Sequence, residues 1–130
     1  MSSTVPPQVE KLLTSEPLVA HLATSTDDRP HVTPLWYRYE DGIIEVMTTG
    51  RALSNIKENP RVSLSVQRDR DGHPEWTVTL RGTATIVEDE ETNRRRNRVL
   101  NRVYNADEGS WEDENTLVRI EIGSVSFKTY

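Results

Sequence analysis

The sequence predicts a mainly β fold, a closed antiparallel barrel with peripheral helices. Segments with strand patterns outnumber those with helical patterns by about two to one. Short turn signals, the segment 26–30 and the pair Asp41-Gly42, separate consecutive strands as hairpin turns do. The strands follow one another as a meander interrupted by helices, which fits a closed antiparallel barrel better than a parallel sheet.

The predicted elements follow in a simple order. Residues 1–5 are expected to form a loose tail, and residues 6–14 a short helix with proline in its first turn and Val9, Leu12 and Leu13 facing inward. Helical patterns also cover residues 51–59 and the arginine-rich segment TNRRRNRVLNRVY. Strand patterns cover residues 18–24, 32–39, 43–48, 62–67, 76–87 and 117–127, with a charged loop, RDRDGHPE, between the fourth and fifth strands.

Composition limits the classes of function. The chain has 130 residues, of which 34% are hydrophobic, so we expect one domain over residues 1–130 with a sparse core and a second subunit that covers shared apolar surface. The absence of cysteine excludes disulfides, thiolate catalysis and cysteine-type zinc sites. The N-terminal segment MSSTVPPQVEKLL has no sustained apolar run, so neither a signal peptide nor a membrane helix is predicted, and a soluble cytoplasmic protein is expected.

The net charge of −5 argues against general nucleic-acid binding, because a polyanion is approached by a basic surface. One basic run, with arginine at positions 94, 95, 96, 98 and 102, competes with this argument. It follows four acidic residues, 88–91. The helix macrodipole favours acidic residues in the first turn of a helix and basic residues toward its end. The pattern therefore predicts a solvated helix with intrahelical ion pairs, with Val99, Leu100 and Val103 on its apolar face.

Isolated reactive side chains give no catalytic motif. The histidines at positions 21, 31 and 73 lack the spacing of a metal site, and no Gly-x-Ser-x-Gly nucleophile elbow occurs. The acidic residues 112–114 read as solvated loop charge. Of the neighbouring aromatics Trp36 and Tyr37, we expect one to pack in the barrel and the other to face solvent.

Residues 43–66 form the most informative segment, because they read as strand, short turn, helix and strand without interruption. The first strand ends at Thr48, Thr49 and Gly50, and Arg51 follows directly. A helix that begins there offers free backbone N–H groups beside two hydroxyls and a guanidinium. This combination suits a phosphate, although the pattern alone is equally compatible with a plain strand-turn-helix connection that carries a surface arginine.

The order of motifs around this segment resembles the pyridoxamine 5'-phosphate oxidase-like, flavin-binding split-barrel family. MTTGRALSNIKENPRVSLSV is similar to the segment with which that family holds the flavin phosphate, and LATSTDDRPHVTPLWYRYEDG to its first hairpin. TVTLRGTATIVED and LVRIEIGSVSFK resemble its later strands, so the likeness spans residues 18–128. The resemblance implies a six-stranded antiparallel split β-barrel of Greek-key type that forms a homodimer with its cofactor sites between the subunits.

The resemblance also implies an FMN-dependent oxidoreductase, in which the flavin performs the redox chemistry on a small molecule that the sequence does not identify. One expected strand lies along the flavin ring, and the turn after a second strand holds the phosphate. The expected cofactor-binding residues are His31, Val32, Thr33, Pro34, Leu35, Trp36, Thr48, Thr49, Gly50, Arg51, Ser54 and Thr77. Two alternatives remain open: a deazaflavin-dependent reductase on the same fold, and a non-catalytic flavin- or haem-binding module.

Overall fold

The computed structural model describes residues 4–130 and confirms a mainly β, antiparallel barrel. Its elements are, in chain order, α1 (Pro7–Leu13), β1 (Val19–Thr26), β2 (Arg29–Trp36), β3 (Arg38–Glu40), β4 (Ile43–Thr48), α2 (Gly50–Glu58), β5 (Arg61–Arg70), β6 (His73–Val87), α3 (Glu90–Val103) and β7 (Thr116–Thr129). The strands form one sheet in the order β2-β1-β5-β6-β7-β4-β3, and every neighbouring pair is antiparallel.

The predicted strand over residues 32–39 is two strands, which raises the described strand count from six to seven. The break lies at Tyr37, whose backbone N–H donates to the Tyr104 hydroxyl at 3.2 Å instead of joining a ladder. The Tyr37 side chain is buried, and its hydroxyl donates to the Leu13 carbonyl at 2.6 Å. The strand is therefore interrupted by contacts with α1 and α3 that lie far away in the sequence.

The predicted charged loop RDRDGHPE is wrong, because β5 and β6 run almost to its centre. Only Asp71 and Gly72 lie between them, with φ angles of 51° and 81°. Two successive residues in the left-handed region are typical of a two-residue hairpin turn, whose twist matches that of the flanking strands. The charged residues Arg68, half-buried, and Asp69, exposed, are thus strand positions with a local register shift between them.

The core fills the barrel interior with alternate strand residues. The fully buried side chains include Leu22, Ile44, Leu64, Val78 and Ile120. Helix α1 covers one part of this core with Val9 and Leu13, as predicted, and α2 contributes Ala52 and Ile56. A second, smaller cluster lies beneath α3 and consists of Met47, Leu100 and Leu117, with Trp36, Val87 and Tyr104 packed against it.

The predicted loose tail begins to pack earlier than expected. Val5 is 3% exposed and belongs to the core, and the Thr4 hydroxyl donates to the Ile122 carbonyl at 2.8 Å. Residues 1–3 of the predicted tail lie outside the described part of the chain. Within residues 4–130, no helix is long and apolar enough to cross a membrane.

Helix α3 differs from its prediction in both its ion pairs and its buried face. The arginine side chains pair across the fold, Arg94 with Asp113, Arg98 with Glu112 and Arg102 with Glu108, and not within the helix. The buried residues are Leu100 and three asparagines at four-residue intervals, whereas Val103 is 45% exposed. Helix α3 therefore binds the acidic segment that follows it, residues 105–115.

Candidate functional site

The turn between β4 and α2 has the geometry that its sequence suggested. Thr48 is buried at the end of β4, opposite Thr116 of β7. Thr49 is extended and precedes the helix, and Gly50 has a φ of +64°, a conformation that favours glycine. The chain thus turns sharply at Gly50 and begins α2 directly outside the barrel wall.

This turn, Thr49-Gly50-Arg51, is chemically suited to an anion. The N-terminus of α2 has no side-chain cap and no acidic residue in its first turn. Arg51 is exposed, and within residues 4–130 its guanidinium has neither an ion pair nor a hydrogen bond. The neighbouring Ala52 is 2% exposed and packs in the core, so Arg51 is the cation that this turn presents to solvent. Free helix N–H groups and an unpaired guanidinium together favour a phosphate.

Strand β2 lies beside this turn. It pairs with β1 alone and ends the sheet order, so its other edge has no ladder partner among the described strands. Trp36, at the end of β2, packs against the cluster that contains Met47 of β4. Strand β2 also contacts β4 and α2 directly. The structure therefore brings the two expected cofactor segments, residues 31–36 and 48–51, to one place.

Alternate residues of β2 have different surroundings. Val32 is 62% exposed and Pro34 is also exposed, which places both on the outer surface of the barrel. His31, Thr33 and Leu35 are half-buried, and Leu35 packs against the core. A ligand on the outer surface would therefore meet Val32, Pro34 and the open backbone edge.

Helix α2 is fixed to the sheet by a buried asparagine. Asn55 donates through Nδ2 to the Thr24 hydroxyl at 3.0 Å, and its Oδ1 accepts from the Thr26 hydroxyl at 2.9 Å. Thr24 is opposite His31 in the β1–β2 ladder, so these bonds hold α2 at the end of the sheet where β2 begins. Ser54, another expected site residue, donates its hydroxyl to the Arg51 carbonyl at 3.1 Å.

Trp36 and Tyr37 behave differently from the expectation in one respect. Tyr37 packs in the barrel, as expected for one of the pair, but Trp36 does not face open solvent. The Trp36 indole stacks on the Tyr104 ring, with centroids 4.7 Å apart, and meets the Trp111 indole edge-on at 5.5 Å. Trp36 is thus held by the residue that follows α3 and by the segment 105–115.

A cleft of about 300 Å³ opens next to these aromatic rings. Six residues that line the cleft were not among the expected site residues: Met47, Asn97, Leu100, Asn101, Trp111 and Asn115. The asparagines at four-residue intervals on one helix were the available signal, because such spacing places them on a single face.

Thr77 is separate from the other expected site residues within one chain. In the β6–β7 ladder, Thr77 is opposite Lys128 and Val87 is opposite Leu117, next to Thr116, the partner of Thr48. Thr77 lies ten residues before Val87 on β6, toward the other end of the barrel. This separation corresponds to about 33 Å along the strand. Near Thr77, the Lys128 ammonium lies 5.0 Å from the centre of the Tyr130 ring. Thr77 therefore reaches the turn at Arg51 only if a second copy of the chain supplies it.

Two rows of outward residues that run across the sheet from β2 carry little charge, although 28% of the chain is charged. Strand pairing aligns two rows of outward residues across five strands. One row is Val32, Ala23, Ser63, Arg81 and Ser124, and the other is Pro34, His21, Ser65, Thr79 and Ser126. We call these two rows the neutral face; Arg81 is its one residue with a permanent charge.

A charged cluster supports the barrel behind the cleft. Glu45 of β4 is contacted by Arg96 at 2.6 Å and by Arg119 at 3.0 Å, with Arg38 at 3.7 Å. Burial alone would raise the pKa of the Glu45 carboxyl, but the hydrogen bonds and charges of Arg119 and Arg96 outweigh burial and lower it. Within the described residues, no group of three or more His, Cys, Asp or Glu side chains is placed to hold a metal ion.

Comparisons with known proteins agree with a flavin-binding split barrel. The sequence matches the model of the pyridoxamine 5'-phosphate oxidase family over residues 7–129, and the chain belongs to this family. No curated protein matches the sequence. The family assignment therefore rests on nearly the whole length of the chain.

Solved structures with the same fold include proteins with different cofactor descriptions. A FAD-binding protein from Mesorhizobium loti is 27% identical, with coverage of 92% of this chain and 89% of that protein and a TM-score of 0.74. An F420 reductase is 25% identical, with coverage of 89% and 94% and a TM-score of 0.74. A conserved hypothetical protein from Mycobacterium tuberculosis is 22% identical, with coverage of 98% and 87% and a TM-score of 0.79, and shows the fold alone.

Proposed function

We propose that the protein is an FMN-dependent oxidoreductase whose flavin phosphate is held at the turn Thr49-Gly50-Arg51. The observation on which the proposal depends is the unpaired Arg51 guanidinium at the uncapped N-terminus of α2, next to the open edge of β2. The hydroxyl of Thr49, the first N–H groups of α2 and Arg51 fit a phosphate dianion. Thr48, which is buried, fixes the end of β4, and Ser54 acts through its bond to the Arg51 carbonyl.

The ring of the flavin would lie on the outer surface along residues 31–36. Val32 and Pro34 are exposed there, and the unpaired backbone edge of β2 offers N–H and C=O groups to the polar side of the ring. Trp36 orients the end of this strand through its contacts with Tyr104 and Trp111. When bound, the flavin supplies hydride or electron transfer, and the chain supplies position and exclusion of water.

The proposed active form is a homodimer in which the neutral face of one subunit contacts a second copy. This face is continuous with Val32 and Pro34, so a partner seated on it would also cover the flavin ring. The same arrangement would allow Thr77 of one subunit to join the site of the other. A sheet face with one permanent charge among ten residues is better suited to burial than the rest of this acidic surface.

A deazaflavin is the second candidate cofactor, favoured by the likeness to an F420 reductase that covers 94% of that protein. The two cofactors differ in ring absorption and in the length of the anionic tail. Titration of the purified protein with FMN and with a deazaflavin under the same conditions separates the two functions. A Soret band after incubation with haem, or uptake of neither flavin, would instead support the non-catalytic module.

The first prediction concerns Arg51. Replacement of Arg51 by alanine removes a charge-assisted contact of roughly 1.5–3 kcal/mol, so the affinity for FMN should fall by about one to two decades. Riboflavin has the same ring without the phosphate, and its affinity should change little. Fluorescence titration of both ligands measures the two effects, with Arg95→Ala, an exposed arginine of α3 without an ion pair among the described residues, as the matched control.

Equal losses for FMN and riboflavin would contradict the assignment of Arg51 to the phosphate. Such a result would mean that Arg51 supports the fold or the ring site. A third variant, Arg51→Lys, tests the geometry, because lysine keeps the charge but not the two parallel donors of arginine. We expect an intermediate affinity for FMN.

A further inference from the structure

The cleft beneath Trp111 combines aromatic walls with two unused hydrogen-bond acceptors. Asn97 and Asn101 are each 1% exposed and both line the cleft. Both Nδ2 groups donate to the Ser110 carbonyl, at 2.8 and 3.0 Å, and that of Asn101 also donates to the Glu108 carbonyl at 3.1 Å. Among residues 4–130 no donor reaches the Oδ1 atom of either side chain, and neither oxygen is sealed from solvent. Because both residues are otherwise buried, we infer that these oxygens face the cleft.

Apart from a third asparagine, Asn115, the remaining walls of the cleft are apolar and aromatic. Pro34 and Trp36 come from β2, and Met47 and Leu100 from β4 and α3. Trp111 stands at the mouth, 46% exposed, with its indole edge-on to Trp36. The volume of about 300 Å³ is at the lower end of the range of roughly 300–1,000 Å³ for small-molecule sites. The space suits a planar ring of one or two fused cycles.

The position of Trp111 is fixed by its neighbours on both sides. The backbone of Trp111 has a φ of +59°, in the left-handed region that residues other than glycine adopt uncommonly. Ser110 is bound by the two asparagines, and Glu112 accepts from Arg98 at 2.6 Å. The segment 105–115 therefore presents Trp111 to the cleft from a held position.

We propose that this cleft is a subsite for a planar aromatic molecule with an O–H or N–H donor, and that Trp111 determines its specificity. The two Oδ1 atoms accept the donor, and the indoles of Trp36 and Trp111 contact the ring. A redox role for a molecule bound in this subsite rests on the proposed function, because Pro34 and Trp36 belong to the strand that is proposed to lie along the flavin. A molecule in the cleft would thus lie at the edge of that ring.

The test uses 2-naphthol and 2-methoxynaphthalene, which share a ring system but differ in the O–H donor. Equilibrium dialysis against the full chain, with and without saturating FMN, measures both affinities without relying on tryptophan fluorescence. We expect 2-naphthol to bind in both conditions, and the methyl ether to bind about fivefold or more weakly, because the asparagine oxygens lose their donor. Equal affinities would overturn the assignment of the two oxygens.

Variants locate the binding. Trp111→Leu should weaken 2-naphthol by roughly five- to tenfold through loss of the ring contact, whereas Trp111→Phe should retain most of the affinity. Phe127→Leu is the matched control, because Phe127 is a 40% exposed aromatic near the far end of β7. It should bind 2-naphthol as the wild type does.

An unchanged affinity of Trp111→Leu for 2-naphthol would overturn the proposed subsite. Displacement of 2-naphthol by FMN would also overturn it, because the cleft would then belong to the flavin ring itself. Different results would contradict the proposed function: a wild-type protein that does not bind FMN, or an Arg51→Ala variant whose affinity for FMN is unchanged. The dialysis without FMN keeps the two results distinguishable. Arg51→Ala should bind 2-naphthol like the wild type.

Discussion

At the scale of single residues, Glu45 shows how charge supports this fold. Its carboxylate joins β4 to α3 through Arg96 and to β7 through Arg119, and its side chain is 14% exposed. Partial burial makes these contacts stronger than surface pairs such as Arg94–Asp113, whose side chains are 48% and 74% exposed. Glu45 therefore connects the wall of the barrel to the helix that covers the cleft.

We predict that Glu45→Gln lowers the free energy of unfolding by about 1–3 kcal/mol at pH 7 and flattens its dependence on acid pH. The pKa of Glu45 is lowered in the folded chain, so its contribution is present above its unfolded pKa of about 4.3 and is lost as the pH falls through the folded value. Urea denaturation between pH 3 and 7 measures both effects. Glu40→Gln, at a side chain that is 58% exposed, is the control and should follow the wild type.

At the scale of elements, α3 shows what the sequence pattern does not reveal. The apolar periodicity indicated Val99, Leu100 and Val103 as its inner face, and only Leu100 is buried. The helix instead packs through Asn93, Asn97 and Asn101, which bind backbone groups of β6, β7 and the segment 105–115. Asparagine becomes a core residue only when such partners are in place, and those partners are distant in sequence.

Asn93 of α3 binds both the last residue of β6 and the beginning of β7. Its Nδ2 donates to the Val87 carbonyl at 2.7 Å, and its Oδ1 accepts from the Leu117 N–H at 2.5 Å. Asn93→Ala leaves a buried N–H without a partner, so the free energy of unfolding should fall by about 1–3 kcal/mol. Arg95→Ala on the outer face of α3 should stay within about 0.5 kcal/mol of the wild type. Similar urea midpoints for the two variants would contradict this role for Asn93.

At the scale of the whole molecule, the predictability of the site follows from sequence distance. The turn at Thr48, Thr49, Gly50 and Arg51 is contiguous in the sequence, so the sequence alone predicted its suitability for a phosphate. The family resemblance predicted the barrel. The place of Trp111 and of the asparagine row was not predicted, because these residues reach the cleft only after α3 folds across the outside of the barrel; the four-residue spacing of the asparagines indicated a shared helix face but not what it contacts. Thr77 is separated from Arg51 because it lies ten residues before Val87 on β6, and Val87 is at the end of the barrel where the turn at Arg51 is found.

The neutral face is testable as an interface between two copies of the chain. If two copies meet through it, light scattering at micromolar concentration should give twice the 14.9 kDa of one chain. Thr79→Arg places a charge at the centre of this face, between Ser65 and Ser126, and burial of an unpaired guanidinium should shift the mass toward that of one chain. Thr14→Arg, at an exposed position after α1, should remain dimeric. A monomer mass for the wild type would exclude the dimer, and a dimeric Thr79→Arg would move the interface to another surface.

Because a dimer through this face would cover Val32 and Pro34, dissociation by Thr79→Arg should also weaken FMN binding while leaving Arg51 and its turn unchanged.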